Sequence, residues 1–206
     1  MSKLTRDDII AGAGIRFASH GYHGTSMRDL GDDLGILGSS IYAHVGGKQE
    51  LLAAVIDRGS ALFAASARDA LERTSEPRER LDLLIVGHID VVLDHRSEAR
   101  TYLSETGFLP ASDHRRIAQA RSAYERVFAE CIADGQAAGD FDTARDPKLV
   151  AIYTLSILNG LGRWFSDDGR LSRDQLATDI EAFVASCLGV WPELRSLRPP
   201  ERRPVQ

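Results

Sequence analysis

The sequence lacks the residue clusters on which most enzymes and metalloproteins depend. It contains no His-Glu-x-x-His run, no phosphate-cradling glycine loop, no Cys/His pair and no carboxylates at metal-ligand spacing. An all-helical enzyme would need such a convergent set. We therefore predict that the chain is not an enzyme and uses no metal or cofactor.

Long apolar runs are also missing. No stretch of about 18 apolar residues could span a bilayer, and residues 1–8 lack the apolar core of a signal peptide. The two cysteines, Cys131 and Cys187, are isolated on apolar helix faces, which is typical of small buried side chains in a reducing compartment; redox sensing is the alternative. With 206 residues, 43% hydrophobic content and net charge −5, the chain can bury a core. We predict a cytoplasmic protein with no membrane partner.

Apolar residues recur at helical spacing, and no segment shows the period-two alternation of strands. The pattern predicts an all-α fold. The predicted helices cover residues 5–20, 27–34, 39–44, 48–74, 77–93, 113–138, 147–164 and 173–189, with a shorter segment between 97 and 110. The tail, 193–206, is rich in proline and charge and is predicted to be disordered.

The segment 24–52 predicts two short helices separated by a glycine turn. Ser26 and Asp29 can form a capping box, which starts a helix at Met27. Gly35 can end this helix, because glycine tolerates the left-handed conformation of a sharp turn. This arrangement is typical of a helix-turn-helix.

The second of these helices, over residues 39–44, is too short to be stable alone and must be held by its neighbours. Ile41 and Val45 are its predicted buried residues. Its outward side chains are small hydroxyls, a methyl, an aromatic with a polar tip and an imidazole, which suit phosphates and base edges in a major groove. They are Ser39, Ser40, Ala43, Tyr42 and His44.

These residues resemble the DNA-binding domain of TetR/AcrR-type transcriptional regulators. The resemblance is carried by Gly21-Tyr22, Thr25-Ser26, the Gly35 turn, Ser40-Ile41-Tyr42, His44, Lys48 and Leu51-Leu52. It implies a three-helix helix-turn-helix domain over residues 1–50 and a C-terminal helical bundle over 51–192 that binds a ligand and dimerises. The implied partners are a double-stranded DNA operator and a second copy of the chain.

The resemblance also implies roles for single residues. Tyr42, His44 and Lys48 are expected to grip phosphates, and Ser39 and Ser40 to approach bases. The full set of predicted DNA-binding residues is Thr25, Ser26, Arg28, Ser39, Ser40, Tyr42, His44 and Lys48.

The sequence departs from the family pattern around the recognition helix. Gly38 stands where many members carry a basic residue, and Ala43 and Val45 stand where they often have a second histidine and a phenylalanine. Up to Lys48 the chain has as many acidic as basic residues. An N-terminal domain without net charge attracts DNA weakly, so we predict that DNA affinity depends only shallowly on salt concentration. The alternative is a helical ligand-binding or protein-interaction module without specific DNA binding.

Helices 147–164 and 173–189 carry more apolar residues than one small core can bury. In the family these two helices pair with their copies in a four-helix dimer interface. A dimer would also fix two recognition helices one turn of DNA apart, about 34 Å. The predicted interface consists of Ile152, Leu155, Leu158, Leu176, Ile180, Phe183 and Val184.

Polar or amphipathic residues on apolar faces of the C-terminal helices predict a ligand pocket. A single such residue is more often a satisfied core residue, which is the alternative for each. The predicted pocket residues are His88, Tyr102, Glu105, Phe108, Tyr124, Phe128, Asn159 and Trp164.

A shorter resemblance narrows the ligand class. Segments 139–141, 163–165 and 169–171 are similar to the branch of the family that represses fatty-acid, steroid-ring or aromatic-acid catabolism and responds to acyl-CoA thioesters. Arginines that could meet the phosphates of coenzyme A are Arg96, Arg100, Arg115, Arg116, Arg121 and Arg163. The resemblance predicts a homodimeric repressor released from its operator by a small hydrophobic ligand, with acyl-CoA, drugs and other hydrophobic metabolites as the candidate classes.

Overall fold

The computed structural model describes residues 4–190. Lys3 and the predicted tail lie outside the described residues. Within them the chain forms helices and no strand, which confirms the all-α prediction. The helices are α1 Arg6–His20, α2 Met27–Leu34, α3 Gly38–Ile41, α4 Lys48–Arg73, α5 Pro77–Asp94, α6 Arg96–Ser104, α7 Ala111–Ala138, α8 Pro147–Trp164 and α9 Arg173–Cys187, with a 3₁₀ turn at Thr106–Phe108 between α6 and α7.

Local capping sets several helix boundaries. The Ser26 hydroxyl accepts a hydrogen bond from the backbone N–H of Asp29 at 3.1 Å, and the Asp29 carboxylate accepts one from the backbone N–H of Ser26 at 2.9 Å. Gly35 ends α2 with φ 67°, in the left-handed region. The side chains of Asp146 and Ser172 likewise accept hydrogen bonds from backbone N–H groups in the first turns of α8 and α9. The predicted capping box and glycine turn are therefore confirmed.

The recognition helix is shorter than predicted. α3 has four residues and ends at Ile41, whereas the sequence predicted helix up to His44. The chain continues in tight turns, in which Ile41 O accepts hydrogen bonds from the backbone N–H groups of His44 and Val45. Gly46 and Gly47 follow Val45 directly. Because glycine destabilises a helix, these two residues do not extend α3.

Two packed regions share α4. The N-terminal region encloses fully buried side chains of α1 to α4, among them Ile9, Phe17, Leu30, Ile41 and Leu52. In the C-terminal region α5 packs against α7 and α8, and α9 packs against α5. α4 contacts α1 at one end and α5, α6 and α7 along the rest of its 26 residues. This helix therefore belongs to both regions.

The cysteines are apart and unoxidised. Cys131 is buried, and its thiol lies 3.2 Å from the carbonyl oxygen of Pro77, to which it can donate. Burial raises the pKa of this thiol to about 12, which keeps it protonated and unreactive. Cys187 is half-buried. No helix within residues 4–190 is both long and apolar enough to cross a membrane.

Candidate nucleic-acid interface and ligand cavity

Two buried apolar side chains pack α3 and the turn that follows it against the N-terminal region. Ile41 and Val45 are buried in the N-terminal region, as predicted. Above them Ser39 and Ser40 are exposed, and Tyr42 is 56% exposed. The hydroxyls and the phenol thus project from a short segment whose apolar side chains are buried. Such a face can donate hydrogen bonds to phosphates and base edges.

Gly38 begins this segment because a side chain would not fit there. A Cβ at Gly38 would lie 2.8 Å from the carbonyl oxygen of Met27 and 3.0 Å from Cα of Arg28. The start of α3 therefore rests on the backbone of the first turn of α2. A basic residue at this position would force the two helices apart.

Of Thr25 and Ser26, either of which the resemblance assigns to the DNA backbone, the Thr25 side chain faces inward. It is 3% exposed, and its hydroxyl donates to the carbonyl oxygen of Gly21 at 3.0 Å, so its side chain closes the loop between α1 and α2 and does not face outward. The Lys48 ammonium donates to the carbonyl oxygen of Thr25 at 2.6 Å and lies 4.2 Å from the centroid of the Tyr22 ring. Lys48 thus fastens this loop to α4. Of the neighbouring pair, Ser26 is the exposed residue.

Several cations of the N-terminal region are paired locally. Arg16 lies 2.8 Å from a carboxylate oxygen of Asp33 and 3.6 Å from one of Asp29. Arg6 pairs with Glu50 at 3.0 Å. Within the described residues, exposed Arg28 has no carboxylate within 4.0 Å. These pairs reduce the positive charge available to a polyanion.

A cavity of about 790 Å³ lies between α1 and helices α4 to α8. Its wall contains a cluster of aromatic rings, several arginines and small or aliphatic side chains. The aromatic cluster is Phe63, His88, Tyr102 and Tyr124. The lining arginines are Arg96, Arg100, Arg121 and Arg163, of which Arg96, Arg100 and Arg163 are exposed.

His88 is the most buried polar residue of this wall, with 1% exposure. Its Nδ1 lies 3.1 Å from the Tyr124 hydroxyl, and its ring centroid is 4.8 Å from that of Phe63. Burial lowers the pKa of His88 to about 3, although the Asn159 side chain favours the charged form. The imidazole is therefore neutral at pH 7. Burial also raises the pKa of Tyr124 far above its ordinary value.

Arg121 brings a positive charge next to the aromatic cluster. One guanidinium nitrogen donates to the carbonyl oxygen of Tyr102, and the group lies 4.9 Å from the centroid of the Tyr102 ring. Arg116, predicted as a possible phosphate partner, does not line the cavity and pairs instead with Asp57 and Asp113. Arg115 is exposed and also lies outside the cavity wall.

Four of the predicted pocket residues line the cavity: His88, Tyr102, Tyr124 and Asn159. The other four do not, because packing turns them elsewhere. The Glu105 carboxylate accepts a hydrogen bond from the backbone N–H of Tyr22 at 2.9 Å, and the Phe108 ring stacks on Tyr22 with centroids 5.5 Å apart. Phe128 is fully buried in the core, and Trp164 is exposed to solvent.

The sequence reasoning missed the part of the wall that α1 supplies. Ile15, Ala18 and Ser19 all line the cavity. Their helix was interpreted only as part of the N-terminal region, and nothing in its apolar spacing indicates a second surface. Phe63, another missed residue, has the same spacing as the core residues of α4.

The predicted dimer residues are mostly buried within a single chain. Leu158, Leu176, Ile180 and Val184 belong to the core, and Ile152 and Leu155 line the cavity. Side chains that are already buried cannot form an interface between subunits. Phe183, at 54% exposure, is the predicted residue that remains available.

A different set of apolar side chains is exposed on α8 and α9. Tyr153 is 60% exposed, and Leu149 is about as exposed as Phe183. Tyr153 and Phe183 also line one small groove between the two helices. The surplus apolar surface predicted for these helices is thus present, at Phe183 as predicted and otherwise at Leu149 and Tyr153.

Comparisons with known proteins agree with this geometry. Residues 3–55 match the family described as bacterial regulatory proteins, tetR family, and residues 74–188 match the tetracyclin repressor-like C-terminal domain. The HTH-type transcriptional repressor KstR2 of Mycobacterium tuberculosis is 25% identical over 180 residues, which cover 87% of this chain and 90% of that protein.

Two solved structures share the fold. The ketosteroid transcriptional regulator KstR2 of M. tuberculosis superposes with a TM-score of 0.82 at 25% identity, covering 89% of this chain and 94% of that one. AibR in complex with isovaleryl coenzyme A and operator DNA gives a TM-score of 0.80 at 24% identity, covering 86% and 96%.

Proposed function

This chain belongs to the TetR family of DNA-binding transcriptional regulators, which are not enzymes, and we propose that it is a homodimeric repressor released from its operator by a small hydrophobic ligand. One observation carries the proposal. The cavity is walled both by the C-terminal helices and by α1 of the DNA-binding region. A ligand bound there touches the two parts whose relative position sets DNA affinity.

We propose separate roles for the N-terminal and C-terminal regions. Residues 1–50 bind DNA, and residues 51–192 bind the ligand and pair with a second subunit. Of the predicted DNA-binding residues we retain those with outward or half-buried side chains: Ser26, Arg28, Ser39, Ser40, Tyr42 and His44. Thr25 acts inside the loop, and Lys48 holds that loop in place.

The ligand acts by shifting a population. A ligand that fits better when α6 moves against α1 stabilises that arrangement and re-spaces the two recognition segments of a dimer. Glu105 and Phe108, just after α6, contact Tyr22 and so link this motion to the loop fastened by Lys48. A coupling free energy of about 1 to 3 kcal/mol would change operator occupancy severalfold or more.

The cavity favours an acyl-CoA thioester over other hydrophobic ligands. The aromatic cluster offers an apolar surface to an acyl group, while exposed Arg100 and Arg163 can form charge-assisted hydrogen bonds with phosphates. Arg96 is paired with Asp167 at 3.1 Å and would have to leave that carboxylate to do the same. The relative KstR2 is described as a ketosteroid regulator, which supports a bulky apolar ligand. A purely apolar drug would leave Arg100 and Arg163 without a ligand contact.

The dimer is proposed to form through α8 and α9. Leu149, Tyr153 and Phe183 supply exposed apolar area on these two helices. Two-fold pairing of this surface would present the same patch from each subunit. The DNA-binding domains of the two subunits could then occupy two half-sites about 34 Å apart.

The first test is a titration against DNA. The purified protein is mixed with a labelled fragment from the intergenic region beside its own gene, and unrelated DNA of equal length is the control. We expect saturable binding that prefers the native fragment. Equal binding to both, or none, would favour a helical ligand-binding or protein-interaction module instead.

The second test adds ligand to the same complex. Acyl-CoA thioesters of several chain lengths and ring types are compared with coenzyme A and with the free acids. At least one thioester should release the native fragment, and neither half alone should do so. Release by a free acid as readily as by its thioester would contradict the role given to the arginines.

A further inference from the structure

We propose that the aromatic cluster of the cavity contains a subsite for a carbonyl oxygen, which accepts a hydrogen bond from Nε2 of His88. The subsite deepens the proposed function, since it assumes that the same cavity holds the ligand. The ligand would then contain a ketone or ester carbonyl within its apolar part. This carbonyl is separate from any charged group of the ligand that contacts the arginines.

The first observation is an incomplete hydrogen-bonding group. His88 is 1% exposed and lines the cavity, and its Nε2 has no hydrogen-bond partner among the described residues. The exposed Asn159 side chain on the same wall approaches the imidazole and acts to raise the pKa of His88, yet it leaves Nε2 without a hydrogen-bond partner. Buried polar atoms are almost always paired, because an unpaired one loses its hydration without compensation. A ligand atom at this point would supply the missing partner.

The second observation concerns the other ring nitrogen of His88. The Tyr124 hydroxyl lies 3.1 Å from His88 Nδ1. The subsite requires this hydroxyl to donate to Nδ1, which places the proton of the neutral imidazole on Nε2. Nε2 is then a donor. It requires an acceptor from the ligand.

A second unpaired donor points to the same chemistry. Arg121 lines the same cavity, and its Nε is buried without a partner among the described residues, while another nitrogen of this guanidinium donates to the Tyr102 carbonyl. A carbonyl oxygen has two lone pairs and brings no hydrogen of its own. It can satisfy donors on this wall without adding a donor that would itself need an acceptor.

The ring stacking around His88 leaves an apolar setting for the rest of the ligand. Phe63 lies at ring-centroid distances of 4.8 Å from His88, 5.4 Å from Tyr102 and 5.5 Å from Tyr124. Hydrocarbon next to the carbonyl would contact these rings. The subsite thus selects an oxygen atom embedded in an apolar skeleton.

The test compares two nearly isosteric probes that contain neither coenzyme A nor a charge. They are 4-tert-butylcyclohexanone and its methylidene analogue, in which a CH₂ group replaces the oxygen. Their affinities for the full-length protein are measured by calorimetry without DNA. The quantity of interest is the ratio of the ketone affinity to the alkene affinity.

In the His88→Phe variant this ratio should fall about fivefold or more, as expected for the loss of one hydrogen bond. Thr101→Val is the matched control, because the Thr101 hydroxyl is also buried and unpaired but does not line the cavity. Its ratio should equal that of the wild type. Tyr124→Phe should lower the ratio as well, since it removes the group that orients the imidazole.

A second readout uses the wild-type protein alone. The carbonyl stretch of the bound ketone should lie at lower wavenumber than that of the ketone in hexane. An unchanged affinity ratio in His88→Phe, an unshifted carbonyl stretch, or no ketone binding at millimolar concentration would overturn the proposal. None of these results depends on whether an acyl-CoA thioester releases DNA, so failure here is distinct from failure of the proposed function.

Discussion

Gly31 of α2 and Gly38 of α3 meet backbone to backbone across the helix-turn-helix. A Cβ at Gly31 would lie 2.6 Å from the backbone nitrogen and 2.8 Å from Cα of Gly38. The neighbouring atoms belong to the main chain and cannot rotate away. The orientation of the recognition segment on α2 therefore depends on the absence of two side chains.

Gly31→Ala should destabilise the protein and weaken DNA binding. The methyl group would push α3 away from α2, at a cost of about 1 to 3 kcal/mol for overpacking. Urea unfolding and operator titration measure the two effects. Gly107→Ala is the control, because a Cβ there meets nothing within 4 Å, and it should leave both unchanged. Wild-type operator affinity in Gly31→Ala would show that this contact does not set the recognition geometry.

Tyr42→Ala should weaken binding to all DNA sequences to a similar degree. The phenol is exposed and is proposed to contact phosphate, which carries no sequence information. Ser39→Ala and Ser40→Ala should instead alter the preference among operator variants, by about 1 kcal/mol at the affected base pair, the value of a single hydrogen bond. Binding to a panel of single-base variants separates the two patterns. A sequence-dependent loss in Tyr42→Ala would reverse the assignment.

Operator affinity should depend only moderately on salt. Arg16 and Arg6 are occupied by Asp33 and Glu50, so few cations can replace counterions on DNA. Each phosphate neutralised adds about −0.9 to the slope of log affinity against log salt concentration. Titrations of the operator at about 50 to 200 mM salt measure this slope. A slope near −10, as for strongly basic binders, would contradict the role of these pairs.

Phe183→Asp combined with Tyr153→Asp should produce monomers that bind the operator poorly. Both side chains are exposed on α9 and α8, so a charge costs little in one chain but would be buried in the proposed interface. Sedimentation velocity gives the oligomeric state. Leu71→Asp serves as the control, since Leu71 is exposed on α4, which makes no substantial contact with α8 or α9 among the described residues. An undisturbed dimer in the double variant would place the interface elsewhere.

Stability should rise with pH between about pH 5 and 7 more steeply in the wild type than in His88→Gln. Burial lowers the pKa of His88 to about 3, whereas the unfolded chain takes up this proton near pH 6.5. The unfolded state therefore binds more protons in this range, and stability is lost as the pH falls below about 6.5. The extra slope approaches about 1.4 kcal/mol per pH unit. Equal slopes in urea-unfolding series of the two proteins would mean that His88 is not held neutral.

The capped helix ends and the position of the recognition segment, though not its length, could be predicted because they depend on neighbouring residues. Ser26, Asp146 and Ser172 each satisfy a backbone group within three residues, and Gly35 provides its own turn conformation. Such signals are fully contained in the sequence. The family resemblance, which rests on the same short segment, is confirmed for the same reason.

Which apolar face meets which partner could not be predicted in this way. Leu158 on α8 and Phe183 on α9 both belong to apolar residues at helical spacing, yet Leu158 is buried in the core and Phe183 is exposed. The difference arises from packing on α5 and α7, which are distant in sequence. The same applies to Phe128, an aromatic residue near Tyr124 that packs into the core and does not reach the cavity.

The cavity wall contributed by Ile15, Ala18 and Ser19 limits how this regulator can be re-engineered. A chimaera that joined the C-terminal helices to the head of another family member would receive a cavity with one side replaced. Its ligand preference would change together with its operator, even if every residue after the junction were kept. Biosensors built by exchanging heads should therefore carry α1 of this chain along with its C-terminal region.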